Sequence, residues 1–217
     1  MRMFNPEWEA IKSLDQDAAY RDIQFELGGM EIPADHGYSL FRELVVHLPW
    51  LADTPGVAVH PVHGAPSGRN DNLVINRRVK LVLRLPKERI ADAAALAGKR
   101  IDPGAGPLVI GDLKERPLTP YATLYAHFVD MGDADEIAFV EAARRELAAM
   151  SIPAGLICGK RRKMATPEGD VEGFSLMLHD VKLEQSLLIQ EHGLGGHRGY
   201  GCGVFIPHKS IKEVAID

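Results

Sequence analysis

The strongest constraint on this chain is an order of patterns that occurs twice. Ile23, Phe25 and Leu27 alternate with Asp22, Gln24 and Glu26, the period of two of a half-buried strand. Leu40, Phe41, Leu44, Val45 and Leu48 then form the apolar stripe of a helix that Pro49 helps to stop. An extended run over Val57 to Val62, a clear strand over Val79 to Leu85, an alanine-rich helix from Ile90 to Leu96 and a strand at Leu108 to Ile110 follow. That order is βαββαβ. It returns after the turn-rich segment 116–120, as strand Leu124 to Val129, helix Phe139 to Met150, strands Ala154 to Cys158 and Val171 to His179, helix Leu183 to Glu191 and a last strand Val204 to Ile206. The halves share pattern and no residue-level identity, so what repeats is architecture. A split βαβ unit closes this order most simply, because its crossovers are right-handed and both helices cover one face of an antiparallel sheet. The expected fold is therefore α+β, with two tandem ferredoxin-like domains over 1–118 and 119–217, each leaving one sheet face open. Phe4, Trp8, Ile11 and Leu14 predict a short leading helix within residues 1–21.

Of the 217 residues, 46% are hydrophobic and 25% charged, which excludes a disordered chain. The formal net charge of −5 argues against a generic polyanion-wrapping protein. It still allows a local basic site, since screening confines exposed charges to roughly 10 Å. Cys158 and Cys202 form no Cys-x-x-Cys and no pairing framework, which fits a reducing cytoplasm. The N-terminus carries acids where a signal peptide needs an apolar run, and no stretch approaches about 18 apolar residues, so a cytoplasmic protein without a membrane span is expected.

Gly193-Leu-Gly-Gly-His-Arg-Gly-Tyr-Gly-Cys-Gly203 is the most informative stretch. Glycines admit positive φ and close approach of a ligand, so Gly193, Gly195, Gly196, Gly199 and Gly201 could turn N–H groups onto phosphate oxygens, with Arg198 adding a bidentate donor and His197 and Tyr200 beside it. The dinucleotide fingerprint and the P-loop both fail on spacing and on element order. Arg198-Gly-Tyr-Gly-Cys-Gly-Val-Phe205 matches an RNA-recognition string only in part, and a mobile glycine turn is the plain alternative. Lys160-Arg161-Arg162-Lys163 reads as a basic loop after a strand, either a local polyanion field or a solvated surface. In Asp35-His36-Gly37-Tyr38, between the first strand and the first helix, an imidazole can exchange protons near neutrality, and Tyr38 can orient a phosphate. His60-Pro-Val-His63 offers two imidazoles with no accompanying carboxylate or cysteine, so no metal is implied. His208-Lys-Ser210 is a lone His-x-Ser string where a two-histidine phosphoesterase needs two.

The glycine loop followed by an apolar strand resembles the signature of the RAMP superfamily, specifically the CRISPR repeat-RNA-processing endoribonucleases. Ile32-Pro-Ala-Asp-His-Gly-Tyr-Ser-Leu-Phe41, the strand Val79 to Leu85 and Arg116-Pro-Leu-Thr-Pro-Tyr-Ala-Thr-Leu-Tyr125 are similar to that family's first-domain elements in order. The resemblance spans about residues 22 to 208. It implies tandem ferredoxin-like domains, CRISPR repeat RNA as substrate, and metal-independent cleavage, without a cofactor, to a 2′,3′-cyclic phosphate and a 5′-hydroxyl. It further implies His36 as general acid or base, Tyr38 in the same site, Arg198 and the loop glycines on RNA, and other CRISPR effector subunits as further partners. No lysine near His36 completes an acid and base pair, and His47, His192 and His197 are substitutes. Two other readings remain open: a non-catalytic RAMP subunit that binds guide RNA in an effector complex, and a regulator holding a mononucleotide.

Overall fold

The computed structural model describes residues 18–68 and 70–208. Residues 1–17 of the expected leading helix lie outside the described residues, and by Tyr20 the chain is already in a strand. In the first unit the strands are β1 (Tyr20–Gly28), β2 (Glu31–Pro33), β3 (Ala58–Val59), β4 (Ala65–Pro66), β5 (Asn72–Val74), β6 (Lys80–Pro86), β7 (Arg100–Ile101) and β8 (Leu108–Arg116). Helix α1 (Gly37–His47) follows β2, and α2 (Ile90–Ala93) follows β6. The second unit contains β9 (Leu124–Val129), α3 (Glu136–Ala149), β10 (Gly155–Thr166), β11 (Gly169–His179), α4 (Leu183–His192) and β12 (Ile206–Pro207).

Both main sheets are antiparallel and have one topology. The first is ordered β3-β6-β1-β8-β7 and the second β10-β11-β9-β12. With the two-residue edge strand β7 set aside and the remaining four strands of each sheet counted in chain order, both run 2-3-1-4, the order of the ferredoxin-like unit, so the doubled α+β reading holds. Each unit also has its own core. Ile23, Phe25, Leu81, Leu83 and Leu85 are fully buried with Leu40 and Leu44 of α1 in the first. Leu124, Ala126, Leu176 and Leu178 are buried with Phe139, Ala143 and Leu147 of α3 in the second. Burying one such side chain stabilises by roughly 1.5–3 kcal/mol. Helix α3 starts at Asp135, whose side chain accepts from Ile137 N and Ala138 N at 3.0 Å, and it ends where Ser151 turns to φ 57°.

Four departures from the sequence expectation matter. The alanine-rich segment after β6 is a single α-helical turn between 3-10 turns, because Ala94 to Leu96 tighten instead of continuing the helix. A small sheet of order β2-β5-β4, formed by segments with no strand pattern, props up the loop between α1 and β6. Strand β10 does not stop at Cys158: it shifts register between Cys158 and Arg161 and continues to Thr166, so Lys160 to Lys163 lie within a strand and not in a loop. Arg84, in the outward phase of β6, is fully buried, because the second unit covers that part of the first sheet's open face. Its Nη1 donates to Gln190 O at 2.9 Å and Phe205 O at 2.8 Å, while Nε and Nη2 hold Asp22 at 2.7 and 2.9 Å. Among the described residues no helix is long and apolar enough to cross a membrane.

Candidate nucleic-acid interface

Where the two units meet, a groove of about 430 Å³ opens. One wall is the Ala34–Gly37 turn and the Pro61–Gly64 loop of the first unit; the other is His127 of β9, Arg162–Met164 of β10 and Tyr200-Gly201 of the glycine loop. The three features singled out in the sequence therefore share one groove, although they lie up to 165 positions apart. Gly37 lets them meet, since a Cβ there would stand 2.4 Å from Tyr200 O and 2.5 Å from Met164 Sδ. Asp35 adds a cross-link, its Oδ2 accepting from Ala165 N at 2.9 Å.

His36 is in the groove wall but only 6% exposed. Its Nδ1 donates to Pro33 O at 2.8 Å, and its Nε2 accepts from Val62 N at 2.9 Å, which fixes one neutral tautomer. Burial lowers its pKa further, with the nearby His63 adding to the effect. Proton transfer through His36 would require giving up one of these main-chain bonds. What the ring does here is staple the turn before α1 to the loop that carries His63. Tyr38 stands edge-on to Tyr200, ring centroids 5.4 Å apart, and is not part of the groove wall.

The glycine loop is bare for an internal reason. A Cβ at Gly193 would lie 2.3 Å from Gly203 O, one at Gly195 1.9 Å from Asp130 O, and one at Gly199 2.7 Å from the Phe41 ring. Its amides are engaged too: Gly193 N donates to Ile189 O, Gly195 N to Glu146, Gly196 N to Asp130 O, Gly201 N to Arg198 O and Gly203 N to Phe128 O. Arg198 points away from the groove. Its Nη1 donates to Glu191 O at 2.6 Å and Gly56 O at 3.1 Å, and its Nη2 to Gln190 O at 3.3 Å. Burial and the neighbouring Arg84 push its pKa down to about 10. The loop expected to cradle phosphate thus packs the second unit against the first, presenting only Tyr200 and Gly201 to the groove. His197 stacks on Tyr200 at 5.3 Å and has Nδ1 2.6 Å from Asp130 Oδ2, outside the groove wall.

The basic run is divided by strand alternation. Arg161 pairs with Glu172, and Lys163 with Asp170 at 2.6 Å, both on the neighbouring β11, while Lys160 is exposed. Arg162 has the opposite phase and enters the groove, where its Nε has no hydrogen-bond partner among the described residues.

One functional candidate, His127, escaped the sequence reading, and a second, His63, entered it only as half of a two-imidazole metal string. His127 alternates with the buried Leu124 and Ala126, placing it on the open face of the second sheet. His63 comes from the first unit, and the two rings lie 5.1 Å apart at 70°. Burial, followed by the charge of Arg162, lowers both pKa values, that of His127 to about 4. No local pattern joins residues 63 and 127; only the fold does. His60, three residues before His63, is turned inward instead, with Nε2 3.2 Å from Asp22 Oδ1. Its pKa is lowered by burial against the opposing pull of Asp22. Burial alone would raise Asp22, but His60 and Arg84 together hold its carboxyl well below the usual range. The two imidazoles of the His60–His63 string therefore diverge, and no group of three His, Cys, Asp or Glu able to hold a metal ion occurs among the described residues.

Comparison with known proteins places the fold and the family. The family model described as "Cas6 Crispr" matches residues 22–210. The CRISPR-associated endonuclease Cas6 of Myxococcus xanthus (strain DK1622) is 36% identical over 187 residues, which is 86% of this chain and 80% of that protein. Among solved structures, a CRISPR-associated Cas6 protein superposes with a TM-score of 0.61 at 12% identity, covering 88% of this chain and all of the other. A Cas6-related protein from Pyrococcus furiosus gives 0.61 at 13% identity, covering 86% and 97%. With two antiparallel units of one topology and a family match across nearly the whole chain, the protein belongs to the Cas6 family.

Proposed function

We propose that this chain is an endoribonuclease that takes CRISPR repeat RNA into the groove between its two units and cuts precursor transcripts into guide RNAs. Cleavage is metal-independent and leaves 2′,3′-cyclic phosphate and 5′-hydroxyl ends. The observation that carries the reading is the shared groove, in which Arg162, with an unpartnered Nε, faces imidazole-bearing segments from the other unit. The guanidinium supplies a charge-assisted donor for a phosphate, and Tyr200 offers an aromatic edge for a base or sugar.

RNA carries its own nucleophile. The groove has to align the 2′-hydroxyl in line with the scissile P–O5′ bond, accept the 2′ proton and return one to the leaving oxygen. General acid–base catalysis supplies about 10²- to 10⁴-fold, and alignment the rest. In this reading His36 acts as a positioning residue, and Arg162 with Tyr200 holds the strand.

The test is incubation of the purified chain with the repeat RNA of a neighbouring array, in EDTA. Cleavage at one position, with a cyclic phosphate on the upstream product, is expected, and a single 2′-deoxy substitution beside the scissile bond should leave binding and abolish cutting. Tight binding of unmodified repeat without any cutting would favour the non-catalytic subunit.

A further inference from the structure

Resting on the endoribonuclease reading, we propose that His63 and His127, one from each unit, are the pair that moves the protons of cleavage. The first argument is position. A second groove of about 310 Å³ lies on the far side of the same two rings, lined by Gln24, Arg78, Lys80 and Tyr125. His63, His127 and Pro61 line both grooves. They stand at the junction of one track, with Arg162 and Tyr200 at one end and Arg78, Lys80 and Tyr125 at the other. A strand laid along the track has cations for its phosphates and an aromatic ring at each end, and its middle linkage passes over the two imidazoles.

The second argument is availability. His36 and His60 both have ring nitrogens engaged by main chain or carboxylate. His63 and His127 make a ring contact with each other and no hydrogen bond among the described residues, so their nitrogens are open to a substrate. With centroids 5.1 Å apart at 70°, a modest opening of the pair admits a phosphodiester between them.

The third argument is electrostatic. Burial first, and then the charge of Arg162, lowers the pKa of both imidazoles, with His63 adding to the effect at His127, so the neutral rings are favoured in the free protein. A bound phosphate offsets the guanidinium and lets one imidazole hold a proton, so substrate entry itself creates the acid and base combination. One ring then takes the proton from the 2′-oxygen as that oxygen bonds to phosphorus. The P–O5′ bond breaks, and the other ring gives its proton to O5′. No water, metal or redox partner is consumed, and the two rings exchange roles on resetting.

The decisive experiment is single-turnover cleavage of repeat RNA by His63→Ala and His127→Ala. Each should be slowed by about 10²- to 10⁴-fold, with unchanged thermal midpoint and unchanged affinity for the 2′-deoxy repeat. A repeat with sulfur replacing the scissile 5′ oxygen separates the roles, because a thiolate leaves without a proton: it should restore near-normal cutting in one variant and not in the other. Wild-type rates in either variant, or rescue of neither, would overturn the assignment. If the unaltered protein fails to cut the repeat, the broader endoribonuclease reading fails instead, so the two failures are distinguishable.

Discussion

Arg198, within the glycine loop, and Arg162, on β10, end in different surroundings. The first has both Nη atoms bonded to the carbonyls of Gly56, Gln190 and Glu191. The second reaches the groove from a strand whose flanking cations already have carboxylate partners, and it makes no ion pair of its own among the described residues. A guanidinium beside a glycine-rich turn is therefore no guide to ligand binding; the free carbonyls around it decide. Arg84 belongs with Arg198 and is the more extreme of the two, fully buried across the same interface.

The sharpest way to test the contrast is to remove the inward members first. Arg84→Ala strands the buried Asp22 and two carbonyls, so a loss of about 3–5 kcal/mol in urea unfolding is expected. Arg198→Ala leaves carbonyls without a donor and should cost about 1–3 kcal/mol, while the salt dependence of repeat binding by the folded protein stays as it was. Weaker binding at an unchanged melting temperature would instead return Arg198 to the RNA. For Arg162→Ala the readouts exchange. Melting should hold, and the slope of log affinity against log salt should become shallower by about one phosphate contact.

The same contrast shows how much was legible in the residues. Alternation at Ile23, Phe25, Leu27 and at Val79 to Leu85, with helical spacing from Leu40 to Leu48, was enough for the first unit, and the same periods over Leu124 to Val129 and Phe139 to Met150 for the second, since those patterns report which face meets a core. The burial of Arg84 was not legible, because a cation in the outward phase of a strand gives no sign of a second unit docking onto that face. The glycine loop carries a second demand that its sequence does not display: missing Cβ atoms show that something comes close, and among the atoms that do are Asp130 O, Gly203 O and the Phe41 ring. The His63 and His127 pairing is a contact across units, which no periodicity encodes.

A pH titration extends the comparison from guanidiniums to imidazoles. Burial holds the pKa values of His36 and His60 below the ordinary histidine value of about 6.5, so the unfolded chain takes up these protons first. Stability from this source is complete above about pH 6.5 and declines as the pH falls below it. Because His36 is also bonded at both nitrogens, His36→Ala should lower stability at pH 8 and flatten the acid slope, measured by urea midpoints between about pH 5 and 8. An unaltered slope would show that the staple contributes nothing to the acid sensitivity.

The smallest expected effect lies beside Arg162 on β10, where Lys163 also lines the groove. Lys163 is exposed and already paired with Asp170 at 2.6 Å. Exposed pairs of this kind contribute little, because solvent screens them and ordering two long side chains costs entropy, so Lys163→Ala should shift the melting point only slightly. Its influence on repeat binding should be weaker than that of Arg162→Ala, because its charge is offset by a carboxylate that stays in place when RNA arrives. Equal losses of salt dependence in the two variants would mean that the strand presents its whole basic run to the phosphate backbone. The division along β10, with Arg162 unpaired in the groove and its neighbours neutralised by carboxylates, would then no longer explain how this chain holds RNA.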